Sequence, residues 1–325
     1  MDSVAIRVQG LEKRFGDVEA VRGVDFEVHT GETFGFLGPN GAGKSTTINM
    51  LCTLIRPTGG TARVAGYNAV PERDDVRREI GLVFQDTTLD TYLSAAQNLR
   101  FHGRLYGVPG EQLEARMRQV LELVGLWDRR DKDVQTFSGG MKRRLEIARG
   151  LLHSPRVLFL DEPTVGLDPQ TRASIWEYLD ELRRHEDLTI FLTTHYMDEA
   201  EHCDRIAIMD AGQIVALDTP LALKAAIGTD RIRLETDDPA AASAAIAREF
   251  ALEVSTDGGG GLVVQVPDGE RFVPRLLADL GVPVRSVSVT RPTLDDVFMS
   301  YTGRTIRDAE AVPGSELAAM FRGRR

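Results

Sequence analysis

The stretch GPNGAGKST, residues 38–46, constrains this chain more than any other segment of similar length. It fits the pattern G-x-x-x-x-G-K-[S/T], follows the apolar run TFGFLG at 33–38, and precedes a helical pattern starting near Gly43. A strand, a glycine-rich turn and a helix in that order aim backbone N–H groups and a helix N-terminus at one point. Such a point suits a polyphosphate. Gly38, Pro39, Asn40, Gly41, Ala42, Gly43, Lys44, Ser45 and Thr46 are therefore the expected loop. Its glycines admit close approach of the backbone, Lys44 is placed to neutralise β- and γ-phosphates, and Ser45 to ligate Mg²⁺.

The second half of the chemistry lies in VLFLDEP, residues 157–163. Four apolar residues predict a buried strand ending in Asp161 and Glu162, at the carboxyl edge where α/β sheets bind ligands. Asp161 is expected to hold Mg²⁺ through water, and Glu162 to act as general base on an attacking water. A third stretch, FSGGMKRRL at 137–145, reads locally as a turn opening a helix, with Lys142, Arg143 and Arg144 on a partly solvated face.

Composition narrows the class. The 325 residues suffice for one large domain or two modest ones, and 42% hydrophobic with 27% charged residues is ordinary globular composition. A net charge of −10 argues against a binder of phosphate backbones, so no nucleic-acid partner is expected. Cys52 and Cys203 lack metal-ligand spacing and read as reduced packing thiols of a cytosolic protein. The N-terminal segment lacks a signal-peptide pattern, and no run of 18 apolar residues occurs. Any membrane role is expected to come through another chain.

Along residues 1–227, short apolar runs alternate with helical patterns, which predicts an α/β domain with a mainly parallel sheet. The runs at 33–38, 80–85, 157–161, 189–195 and 205–210 are its expected strands, with antiparallel strands beside them before residue 33. Residues between Gln85 and Phe137 turn helical. From 228 to 304 the order strand, helix, strand, strand, helix, strand predicts a small ferredoxin-like α+β domain, then a short helix from Thr293 to about Tyr301. A mobile tail is expected over 305–325, and a glycine turn at 258–261.

The order of these motifs resembles the ATP-binding cassette (ABC) ATPases over roughly residues 4–227: phosphate loop, Gln85 after a strand, FSGGM, LFLDEP, GLD at 166–168, and His195 after a strand. The resemblance implies the fold of a P-loop NTPase cassette, with an antiparallel β subdomain and a helical subdomain. It implies ATP and Mg²⁺ as ligands and ATP hydrolysis as the activity. Phe15 would stack on adenine; Gln85 would contact Mg²⁺ and sense a membrane partner. Ser138, Gly139 and Gly140 would touch the γ-phosphate held by an opposite subunit. Asp168 would contact that subunit, and His195 would contact the γ-phosphate as a switch. Two cassettes, identical or different, would face head to tail, driven together by ATP and released by hydrolysis.

The wording FSGGMKRRLEIARGLLHSPRVLFLDEPTVGLDP, with RPTLDDVFMSYTGR at 291–304, is similar to the exporter branch containing daunorubicin-type drug-resistance ATPases. That likeness implies a separate integral membrane permease, a position at the cytoplasmic face of the cell membrane, and a drug, antibiotic or lipid-like cargo. Leu89, Tyr92, Leu99, Phe101 and Tyr106 are expected either to include groove residues for a permease helix or to be ordinary core of the helical subdomain. The alternative is a soluble ABC ATPase acting on nucleic acid or ribosomes. Repair-type members carry long coiled coils between phosphate loop and signature, and translation-type members carry two cassettes; this chain shows neither pattern.

Overall fold

A computed structural model describes residues 4–185, 188–256 and 261–303. The tail expected at 305–325, Arg304, and most of the glycine turn at 258–261 lie outside these residues.

The chain opens with two long strands, β1 (Val4–Phe15) and β2 (Val18–His29), joined by a two-residue turn and paired antiparallel. β3 (Thr33–Leu37) then leads through the glycine loop into α1 (Lys44–Leu51). A hairpin of β4 (Gly59–Val64) and β5 (Tyr67–Asn68) extends the antiparallel sheet to the order β2-β1-β4-β5. After α2 (Arg73–Glu79) and β6 (Ile80–Val83) come three helices, α3 (Ala95–Leu105), α4 (Gly110–Leu123) and α5 (Gly139–Leu151). These three pack on one another as the helical subdomain. The remaining elements of the first unit are β7 (Val157–Asp161), α6 (Pro169–His185), β8 (Thr189–Thr194), α7 (Met197–Ala200), β9 (Arg205–Asp210) and β10 (Gln213–Asp218).

The main sheet runs β10-β9-β3-β8-β7-β6. Its five strands from β9 to β6 are parallel, as the apolar runs predict, and only the unanticipated β10 is antiparallel. Every residue of β3, β7 and β8 is buried, which explains why their sequences show apolar runs rather than alternation. Between the two sheets Phe26, Phe34, Phe36, Phe159 and Phe191 share one core with residues of α1. Ring centroids of Phe26 and Phe36, and of Phe36 and Phe191, stand 5.0 Å apart. This core fixes β3, β7 and β8 side by side. Their carboxyl ends are the platform for the site.

The chain divides between Pro220 and Leu221 into two compact units. The helix α8 (Pro220–Ile227), which the sequence pattern placed in the first domain, therefore opens the second. The second unit contains β11 (Asp230–Thr236), α9 (Pro239–Phe250), β12 (Val254–Thr256), β13 (Leu262–Val266), α10 (Gly269–Asp279), β14 (Val284–Thr290) and α11 (Leu294–Thr302). Its antiparallel sheet has the order β12-β13-β11-β14, the ferredoxin-like arrangement expected from the element order. Ile232, Leu234, Val264, Ile246 and Leu276 form its own core.

Candidate nucleotide site

The glycine loop needs its glycines for measurable reasons. A Cβ on Gly38 would stand 2.2 Å from the Met209 carbonyl oxygen, and one on Gly43 would stand 2.5 Å from that of Ala20. Gly41 and Gly43 also take φ of 82° and 107°, a region side chains resist. The loop is pinned by Gly38 N–H donating to the Thr194 carbonyl and Gly212 N–H donating to that of Ala42. Pro39 and Ala42 are buried, while Asn40 and Gly41 are exposed at its crest. Ser45 and Thr46 lie in the first turn of α1, where backbone N–H groups have no intrahelical acceptor.

Lys44 is 4% exposed. Its Nζ donates to the carbonyls of Gly38 at 2.5 Å and Pro39 at 3.1 Å, and lies 3.6 Å from Glu162 Oε1. Ser45 Oγ donates to Asp161 Oδ1 at 3.0 Å, and Thr193 Oγ1 donates to the same oxygen at 2.5 Å. Burial raises the pKa of Asp161, against the lowering effect of these two hydroxyls. Hydroxyl and carboxylate oxygens facing one another beside a phosphate loop are the hard donors that Mg²⁺ takes.

Glu162 is the hub. Its carboxylate accepts from Gln85 Nε2 at 3.2 Å and meets His195 Nδ1 at 3.3 Å. Its backbone has φ of 48°, so a non-glycine residue is held in the left-handed region at about 1–3 kcal/mol. The N–H of Glu162 donates to the carbonyl and hydroxyl of Thr193, which helps hold that geometry. Burial alone would raise its pKa, but the hydrogen bond to His195 and the charge of Lys44 outweigh it and leave the pKa lowered. The carboxylate is therefore ionised at neutral pH. Lys44 and Ser45, Gln85, Asp161 and Glu162, and His195, from four separate stretches of the sequence, are thus brought together by contacts to Asp161 and Glu162.

Other expected residues lie apart from this cluster. Phe15 ends β1, half-buried, with Lys13 Nζ 4.8 Å from its ring centroid. Ser138 caps α5 by accepting from Met141 N–H at 3.3 Å, and both Ser138 and Gly139 are exposed. Gly140 is buried, where a Cβ would stand 2.3 Å from Thr171 Cγ2 on α6. Asp168 is exposed and accepts from Thr171 N–H at 3.0 Å and Thr171 Oγ1 at 2.6 Å, capping α6. Of the proposed groove residues, Leu89 and Leu99 are 7% and 0% exposed and belong to the subdomain core, which corrects that part of the sequence reading. Tyr92, Phe101 and Tyr106 are exposed, joined by Leu105 one turn beyond Phe101 on α3.

Three residues near the site escaped the sequence reading. Arg143 is 6% exposed, not part of a solvated face, and its partner Glu146 is 1% exposed. The sequence signal was available: Glu146 interrupts the apolar run of Leu145, Ile147 and Ala148, all buried. The third is Glu199 on α7, also 1% exposed, whose Oε1 accepts from Thr164 Oγ1. Burial pushes its pKa up from 4.5 to about 7, despite Thr194 and Arg172.

Glu199 gives a pH prediction. Between about pH 4.5 and 7 the folded chain keeps a proton that the unfolded chain releases, so this group's contribution to stability falls as pH rises through that window. The gap from 4.5 to about 7 corresponds to on the order of 3 kcal/mol. Glu199→Gln keeps an oxygen for Thr164 and removes the titration. Urea unfolding at pH 5 and pH 7.5 is expected to show the variant gaining on the parent at the higher pH.

Residues 21–165 match the ABC transporter family model, and residues 219–302 match the C-terminal domain of DrrA1-3-like ATP-binding proteins. The chain is 41% identical over 317 residues to the daunorubicin resistance ATP-binding protein DrrA3 of Streptomyces coeruleorubidus, covering 96% of this chain and 100% of that one. The chain belongs to the ABC transporter ATP-binding proteins. The chain is also 38% identical over 317 residues to the linearmycin resistance ATP-binding protein LnrL of Bacillus subtilis, covering 93% of this chain and 100% of that one. Among solved structures it resembles cbiO1 of Clostridium perfringens, part of the cbiONQ transporter complex. There the TM-score is 0.64 at 29% identity, over 68% of this chain and 91% of that one. A dimeric cassette bound to ADP and Pi gives a TM-score of 0.60 at 26% identity, over 66% of this chain and 98% of that one. The cassette is therefore an ATPase of the ABC transporter family. Among the described residues no helix is long and apolar enough to cross a membrane.

Proposed function

We propose that Glu162 is the general base of ATP hydrolysis in this cassette and that the complete site forms only between two cassettes. The observation that carries the reading is the convergence of Lys44, Gln85 and His195 on the Glu162 carboxylate. ATP lays its phosphates on the loop 38–46, with adenine against Phe15. Lys44 exchanges its contacts with the Gly38 and Pro39 carbonyls for phosphate oxygens. Ser45 and Asp161 would hold Mg²⁺, with Gln85 alongside; bound there, the ion offsets charge on the phosphate oxygens. A water held by Glu162 attacks the γ-phosphorus and gives Glu162 its proton. The bond from that phosphorus to the bridging oxygen breaks, and ADP leaves with the electron pair. His195, anchored to Glu162, reports the γ-phosphate.

The need for a second cassette rests on topology. β3, which feeds the phosphate loop, and β6, on which α5 packs, are three strand spacings apart, about 14 Å. The exposed N-terminus of α5, with Ser138 and Gly139, is an anion site that serves the γ-phosphate of a facing copy. Asp168 lies on that same facing surface.

The partner in the membrane is a separate permease at the cytoplasmic face, and Tyr92, Phe101 and Leu105 receive its cytoplasmic helix. Their exposures of 82%, 68% and 69% in an otherwise packed subdomain support this docking role. The names of the relatives favour a drug, antibiotic or lipid-like cargo, as do the Nod factor export proteins of Burkholderia species at 39% identity. Co-purification from membranes tests the docking. Phe101→Asp with Leu105→Asp is expected to release the cassette from membranes while ATP hydrolysis by the free chain stays at the parental rate. Retention of the double variant on membranes contradicts the docking assignment.

A further inference from the structure

Arg143 stands about one turn into α5, and its guanidinium has five N–H donors to place. Each has an acceptor. Nε donates to the Pro163 carbonyl at 2.5 Å; one terminal nitrogen reaches the Phe84 carbonyl at 2.5 Å and Glu146 Oε2 at 3.2 Å. The other reaches the carbonyls of Asp161 at 3.2 Å and Glu162 at 3.3 Å. Glu146 is on α5 itself, and the four carbonyls lie on two segments that are remote in sequence. Phe84 precedes Gln85, and residues 161–163 carry Asp161 and the left-handed backbone of Glu162.

The grip continues down the same face of α5. Glu146 Oε1 accepts from Thr88 N–H at 2.8 Å, while its other oxygen takes Arg143. Arg149 donates to the Thr88 carbonyl at 3.0 Å and to its hydroxyl at 2.5 Å. The segment 84–88 has several exposed residues and no regular structure after Val83, yet one helix face holds its backbone at both ends. The same helix begins at Ser138.

We propose that Arg143 is a positioning residue for ATP hydrolysis, locking the backbones of Gln85 and Glu162 to the helix that presents Ser138. The proposal rests on the reading of Glu162 as the base. The Gln85–Glu162 hydrogen bond of 3.2 Å forms between two side chains whose main chains Arg143 holds simultaneously. A displacement of the signature helix by a facing cassette, or of the Gln85 segment by a membrane partner, therefore reaches the catalytic carboxylate through this one guanidinium. A lysine at this position offers three donors from a single point and cannot span both segments. Every nitrogen of the fork is already taken by protein acceptors, so its loss is expected in the chemical step and not in binding.

The test uses the full-length chain with MgATP, measuring kcat, KM, ATP affinity and melting temperature, with kcat counted per chain able to bind ATP. Arg143→Lys is expected to lower kcat about 100-fold, the scale of a misplacement near 1 Å, with ATP affinity at the parental value. Glu146→Gln, which keeps the oxygen for Thr88 and weakens the charged bond to Arg143, is expected to lower kcat about 10-fold. It decides the matter if the lysine variant fails to fold. Parental kcat per binding-competent chain in the folded variants, or a loss confined to KM, overturns the proposal. Glu162→Gln measured alongside keeps the two claims apart: turnover there withdraws the base assignment, whereas parental kcat in Arg143→Lys withdraws only the positioning role.

Discussion

Replacing Glu162 by Gln is expected to lower kcat for ATP hydrolysis by about 10²–10⁴-fold, the usual worth of a general base, while ATP still binds. The amide has the same shape and retains an oxygen toward His195 and Lys44, which contact Oε1 in the parent. It loses the negative charge and the capacity to take a proton from water, and its amide nitrogen stands where Oε2 accepts from Gln85 Nε2 in the parent. The hydrogen bond to His195 and the charge of Lys44 keep the Glu162 carboxylate ionised and able to accept that proton. Steady-state hydrolysis with nucleotide-binding titrations checks the prediction; parental turnover removes Glu162 from the role.

Lys44→Ala is expected to act earlier in the cycle and to weaken ATP binding by about 10–100-fold, the range of one charge-assisted hydrogen bond. The side chain is buried, and it already bonds two loop carbonyls that shape the phosphate cradle. Its removal also takes a cation from beside Glu162, so turnover falls together with affinity. Equilibrium binding of labelled ATP distinguishes this variant from Glu162→Gln, which loses turnover alone. Parental affinity in Lys44→Ala contradicts the phosphate-loop assignment.

The strands of the main sheet were legible because β3, β7 and β8 are buried on both faces and so read as unbroken apolar runs. The hairpin β4–β5 and the strand β10 were not, because β4 contains paired glycines and β10 is only half-buried. Motif order located the residues around Glu162. It did not point to Arg143, whose one sequence signal is Glu146 inside a buried apolar run; three successive cationic residues look solvated until the carbonyls around the middle one are seen. Glu199 was hidden for a similar reason. Of the acidic residues in MDEAE it alone is buried, a matter of helix phase at a four-residue helix too short to show a period. The misassigned Leu99 was readable in principle, lying in phase with the buried Ala95, Ala96 and Gly103 while Phe101 and Leu105 face outward.

The central claim is that one chain supplies only half of each nucleotide site. Sedimentation of the Glu162→Gln chain with and without MgATP tests it most directly, beside the same chain also carrying Ser138→Arg. The account predicts a dimer with MgATP, holding two ATP molecules, that reverts to monomers without nucleotide and does not form with Ser138→Arg, although that chain still binds ATP. A chain that binds ATP and remains monomeric, or a dimer indifferent to Ser138, would contradict it.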